Sequence, residues 1–144
     1  MARLSPVQTI LVTCVCQALI VWASRGWVIS LSVQRAESLS ANGQFGRALR
    51  IQRVVTVVDP RNLDALIGLG RSYEDLDRDK QAERTYWTII DRFPDRNEGY
   101  YLMSRLIRKT GDEFNADGWL EKAAERSGQF SDQIASDRRG SRPR

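Results

Sequence analysis

The chain has 144 residues, 42% hydrophobic and 28% charged, the balance of one globular domain rather than of a disordered segment. Its 22 Lys and Arg against 18 Asp and Glu leave a net charge of +4, too mild and too interleaved to mark a nucleic-acid surface. There is no histidine, so the commonest general acid–base and the commonest metal ligand are both missing.

Residues 1–6 form a short N-terminus with one basic side chain, Arg3. Residues 7–24, VQTILVTCVCQALIVWAS, then run without a charge. As a helix this stretch would span about 27 Å, at the lower end for crossing a bilayer core. Trp22, Arg25 and Trp27 stand where a span would meet the headgroup layer, and they are the expected membrane-interface residues. The segment reads as a transmembrane helix or uncleaved signal anchor. A cleaved signal peptide ending at Ala23 is the other reading, although the apolar run exceeds the usual 7–15 or so residues. The short N-terminus favours the cytoplasmic side for residue 1 and the periplasmic side for the rest.

Cys14 and Cys16, the two cysteines, lie inside this apolar run. Two positions apart on a helix, they point about 200° from each other, so they neither bridge nor chelate as a pair. Thr13 stands where a lipoprotein cleavage box carries Gly, Ala or Ser, and lipidation at Cys14 is not expected.

Residues 25–28 are a minimal linker, with Gly26 the natural place for a bend. A second amphipathic region begins near residue 29, and Phe45 to Val58 reads as a helix rich in Val and Ile. The clearest pattern spans Leu63 to Phe93, closed by Pro94. Leu66, Leu69, Tyr73 and Leu76 recur at helical spacing, as do Ala82, Tyr86, Ile89, Ile90 and Phe93 after a hinge at Asp77-Arg78. Small residues, Gly70 and Ala82, sit where two helices would approach closely. A third pair follows, carrying Tyr100, Met103, Ile107, Ala116, Leu120 and Ala123. Residues 131–144 are polar, with Arg138, Arg139, Arg142 and Arg144, and read as a disordered basic tail.

These elements share a period. The interval from Pro60 to Pro94 also separates Ala48 from Ala82 and Ala82 from Ala116, and Gly43, Asp77 and Gly111 repeat at it in the turns. A helical hairpin recurring every ~34 residues resembles the tetratricopeptide (TPR) family. Leu66, Leu69, Gly70, Tyr73, Ala82, Tyr86, Ile89 and Pro94 occupy its signature positions. The resemblance covers 29–62, 63–96 and 97–130. It departs from the family at Ser32, Arg35 and Gln52 in the first repeat, and at Gly118 and Gly128 in the third. The expected fold is therefore all-α, an N-terminal transmembrane helix followed by three TPR hairpins in an α-solenoid.

The resemblance implies a concave groove, lined by the first helix of each repeat, that binds a segment of another protein. It places Glu37 there in repeat one and Asp64, Ile67, Arg71 and Glu74 in repeat two. In repeat three it places Tyr101, Arg105, Arg108 and Lys109. Val33, Glu37, Gly68, Glu98 and Leu102 stand where chaperone-tail-binding TPRs carry Lys, Asn and Arg to clamp a C-terminal carboxylate. None is basic, so that ligand is not expected. Without His, a phosphate loop or a metal-spaced ligand set, no catalytic residue, metal or cofactor is expected. The Glu74-Asp75 carboxylates could serve as acid and base only in a cleft that nothing in the pattern supplies.

The reading is a membrane-anchored interaction module, a scaffold or assembly factor for an envelope complex in a bacterium. Its partners would be other proteins and the lipid bilayer, with no nucleic acid and no small-molecule substrate. A permanent accessory subunit of a large membrane complex is the alternative, and an exported soluble TPR protein is a second one.

Overall fold

The computed structural model describes residues 26–140. They form helices joined by short turns. The first, α1, is helical through residues 26–41. It is followed by α2 (Phe45–Val58), α3 (Leu63–Glu74), α4 (Asp79–Arg92), α5 (Glu98–Lys109), α6 (Glu113–Ala124) and α7 (Ser131–Gly140). Successive helices pack as neighbours: α2 on α3, α3 on α4, α4 on α5, α5 on α6 and α6 on α7, with α3 also touching α5. This is a helical-repeat architecture, and its constant period has a backbone cause. Gly43, Asp77 and Gly111 all adopt positive φ, at 71°, 54° and 86°, turning each first helix back along its second. Two of the three are glycine, for which that region carries no penalty.

Caps and close contacts set the rest. The Asn62 side chain accepts the Ala65 amide to start α3, and Asp112 accepts the Asn115 amide to start α6. Gly70 lets α3 lie against the Tyr86 ring, where a Cβ would come 2.2 Å from Cε1. Leu66, Tyr86, Ile89, Leu102, Met103, Leu120 and Ile134 belong to one continuous core. Repeat one instead rests on a small separate cluster of Val33, Val55 and Ala65, with Ile29 and Ile51 beside it.

Two expectations are corrected. The transmembrane helix expected at 7–24 lies outside the described residues, with Trp22 and Arg25. Among the described residues no helix is long and apolar enough to cross a membrane. The helices α2 to α7 have 10 to 14 residues, about 15–21 Å at 1.5 Å per residue, against a hydrocarbon core of about 30 Å. Each also carries charged side chains. The described residues thus form a helical-repeat fold, in place of the expected single-pass anchored fold and periplasmic placement at a bilayer. Trp27, expected at the headgroup layer, sits on α1 and is 69% exposed.

The tail is the second correction. Residues 131–140, expected to be disordered, form α7. Ile134 is 3% exposed in the same core as Tyr100 and Leu66, its counterparts one and two repeats earlier. The helix α7 thus stands where the first helix of a fourth repeat would, and it covers the end of the third.

Candidate partner-binding groove

The groove residues expected from the sequence divide into two groups. Glu37, Asp64, Ile67 and Arg71 come together around one open pocket, joined by Ser40, Gln52, Gly68, Asp75 and Gln129. The pocket holds about 350 Å³. It is framed by α1 on one side, α3 on the other and the α6–α7 turn at its end. Glu37, Asp64 and Arg71 are exposed, whereas Ile67 is 5% exposed and belongs to the core beneath.

Gln52 forms part of the same lining from below. The family pattern has an aromatic at this position, but here the carboxamide is 2% exposed. Its Oε1 accepts the Ser72 hydroxyl at 2.8 Å. A Cβ at Gly68 would lie 2.4 Å from its Nε2, so the missing side chain of Gly68 is what makes room for the amide. Nothing in the sequence pattern singled out Gln52 except its departure from the aromatic.

The other expected residues are engaged within the fold. Glu74 accepts the Tyr86 hydroxyl at 2.6 Å. Burial, with the Glu74 charge beside it, pushes the Tyr86 phenol far above its ordinary range. Tyr101 is 7% exposed, tilted against Phe130 at 5.1 Å between centroids, and it donates to Asp137 of α7 at 3.2 Å. Burial and the Asp137 charge raise its pKa. Arg108 pairs with Asp117 at 2.9 Å, and Lys109 bridges Asp77 and Asp79 at 3.2 and 3.0 Å. The Lys109 pKa is raised by those hydrogen bonds, to Asp79 and then to Asp77. Two of the three cations foreseen on α5 are thus engaged within the fold, Arg108 by α6 of its own repeat and Lys109 by the α3–α4 turn and the start of α4. Arg105 makes no ion pair among the described residues, and its charge is felt at Tyr86 and Tyr101.

The end wall of the groove comes from the last residues of the third repeat and the first of the expected tail, none of them among the expected partner-binding residues. Asn97 and Glu98, both 0% exposed, hold the α6–α7 turn. Asn97 donates to Ser131 Oγ and its Oδ1 accepts the Phe130 amide, while Glu98 accepts the Gln129 amide at 3.0 Å. Arg96 completes the set with a 2.6 Å bridge to Glu98. Burial alone would raise the Glu98 pKa, but the Arg96 hydrogen bond and the Gln129 amide outweigh it, and the carboxyl ends below its usual value. Gly128 fits between these groups because a Cβ there would come 2.2 Å from Asn97 Oδ1. So fixed, the turn projects Gln129 towards Asp64, at 3.4 Å, and Phe130 beneath the Arg71 guanidinium, at 5.1 Å. The signal that could have found this wall is the repeat register, which sets Ser131 opposite Asn97 and Ile134 opposite Tyr100.

No group of three or more potential metal ligands occurs among the described residues. No protein-family model and no curated protein matches the chain. Among solved structures, the fold is similar to the type III secretion translocator chaperone SycD of Yersinia enterocolitica. The TM-score is 0.70 at 14% identity, over 78% of this chain and 88% of that one. The likeness is one of fold.

Proposed function

We propose that the protein is a binding module that holds a segment of another protein in the groove between α1, α3 and the α6–α7 turn, as a scaffold, chaperone or assembly factor, and that it acts without catalysis. The observation that carries this reading is the open pocket of about 350 Å³ walled by Glu37, Asp64, Asp75 and Arg71 over Ile67 and Gln52. Its rim is charged and its base combines apolar Ile67 with the Gln52 amide, an arrangement suited to an extended or helical peptide. The fold shared with a secretion chaperone fits the same role.

The test is site-specific photo-crosslinking in the cells that make the protein. A benzophenone side chain at Ser40 or Asp75 is expected to give a discrete adduct with another protein. Absence of any adduct from both positions would sink the groove reading.

A second reading, a permanent subunit of a larger assembly, is favoured by one observation. Trp27, Val28 and Leu31 of α1 and Val54, Val57 and Val58 of α2 are all exposed, the last three at 64%, 80% and 48%. A subunit would shield such apolar side chains against a neighbour. Crosslinks from position 57 at full stoichiometry, with none from 40 or 75, would select this reading.

A further inference from the structure

The groove pocket carries a chemical address. Glu37, Asp64 and Asp75 set three carboxylates around it against one guanidinium, Arg71, in a chain whose overall charge is +4. That guanidinium is turned onto the Phe130 ring. Neither the Glu37 nor the Asp75 carboxylate makes a hydrogen bond or an ion pair among the described residues, and that of Asp64 has the long 3.4 Å contact from Gln129 and feels the more distant Arg96 charge. At the base, Gln52 is 98% buried, the complement of its 2% exposure, yet only its oxygen is used. Its Nε2 has no hydrogen-bond partner among the described residues and lies over Gly68, in the lining of the same pocket. The pocket is open, so this N–H faces solvent in the free protein, and a ligand carbonyl could take the place of that water.

We infer that the pocket takes a cationic side chain, lysine or arginine, of the partner segment, with the Gln52 amide donating to a backbone carbonyl beside it. This rests on the groove being the partner surface. The three carboxylates supply the charge complementarity, and Ile67 supplies an apolar floor for the methylene stem of the incoming side chain. The free amide is a second feature, independent of the charges, that calls for an acceptor at the same spot. An acidic partner segment would meet like charge at both ends of α3, from Asp64 and Asp75, and from Glu37 on α1. Of the basic face of α5, Arg108 and Lys109 are engaged by Asp117, Asp77 and Asp79, and Arg105 is not in the lining of this pocket.

The experiment uses the isotope-labelled full chain and three acetylated, amidated pentapeptides with a central lysine, norleucine or glutamate between leucines. Saturable shifts are expected at the Gln52 side-chain amide and the Gly68 amide, with the lysine peptide bound about tenfold more tightly than the glutamate one, the scale of two or three exposed charge pairs. The double variant Glu37→Gln, Asp75→Asn alters polar side chains at the rim and leaves the core untouched. It is expected to erase the lysine preference while leaving the norleucine peptide unchanged. Equal or tighter binding of the glutamate peptide, or a lysine preference that survives the double variant, overturns the inference. If all three peptides shift groove residues equally, the groove reading stands and the cationic address falls. If none shifts any groove residue, both fall.

Discussion

Among single residues, the repeat is held by those whose side chains are absent or small. Gly70 is the clearest case. Tyr86 cannot retreat from an added methyl group, because it is 0% exposed and its hydroxyl is fixed to Glu74. Gly70→Ala should therefore cost about 1–3 kcal/mol, read as a lower urea midpoint at unchanged slope. Ser104 occupies the same register in repeat three, and its hydroxyl is buried without a partner among the described residues. Ser104→Ala removes a desolvated polar atom and should leave stability unchanged or raise it by about 1 kcal/mol. A fall in thermal midpoint would show that the hydroxyl has a partner in solution. Asp77 holds φ at 54°, a conformation unfavourable for a side chain. Asp77→Gly loses one arm of the Lys109 bridge, which is exposed and worth little. The expected net is a gain of about 0.5 kcal/mol by chemical denaturation.

Among the elements, α1–α2 and α6–α7 are attached in different ways. The first hairpin has a small cluster of its own, Val33 and Val55 against Ala65 of α3 with Ile29 and Ile51 beside them, apart from the main core. Its amides should exchange with deuterium well before those of α3 to α6, since local stability follows buried apolar contact. Equal protection across the chain would contradict this. The last helix is pinned by a polar latch, Asn97 and Glu98 on the α6–α7 turn, and so depends on pH. The Glu98 carboxyl is held below its ordinary 4.5. A depressed pKa contributes stability at pH above the unfolded value and loses it as pH falls through the folded one. Wild-type stability should thus decline on acidification below about pH 5 with a component that Glu98→Gln lacks. The variant should also start from a lower stability at neutral pH, having lost a charge-assisted pair.

Across the whole molecule, the continuous core from Leu66 to Ile134 makes repeats two and three and α7 one cooperative body. Ile89 lies at its centre, fully buried between repeats. Ile89→Ala should cost about 2–5 kcal/mol and lower the unfolding midpoint of α3 to α7 together. The groove sits where this body meets the thinly attached first hairpin, so a partner seated there would also tie α1 to α3. Partner binding is expected to slow exchange in α1, a coupling that follows from mass action on the closed form.

Helices, turns and period are all written along the chain. Each rests on local physics: apolar spacing at the helical period, Gly43, Asp77 and Gly111 at the reversals, and Asn62 and Asp112 at the helix starts. The same pattern brings Glu37, Asp64, Ile67 and Arg71 to one surface, because a fixed repeat length fixes which face each first helix presents. Other features exist only once the chain is packed. Whether Arg108 and Lys109 are free or paired depends on carboxylates 9 and 30 to 32 residues away, beyond the reach of helical periodicity. Residues 131–140 look too polar to fold, yet one isoleucine in register and a buried Asn–Glu latch suffice to dock them. The apolar run at 7–24, which suggests a membrane span, lies outside the described residues, and within them no helix is long and apolar enough to cross a bilayer. Hydropathy reports what a segment would bury, and only the packed chain shows what it is buried against.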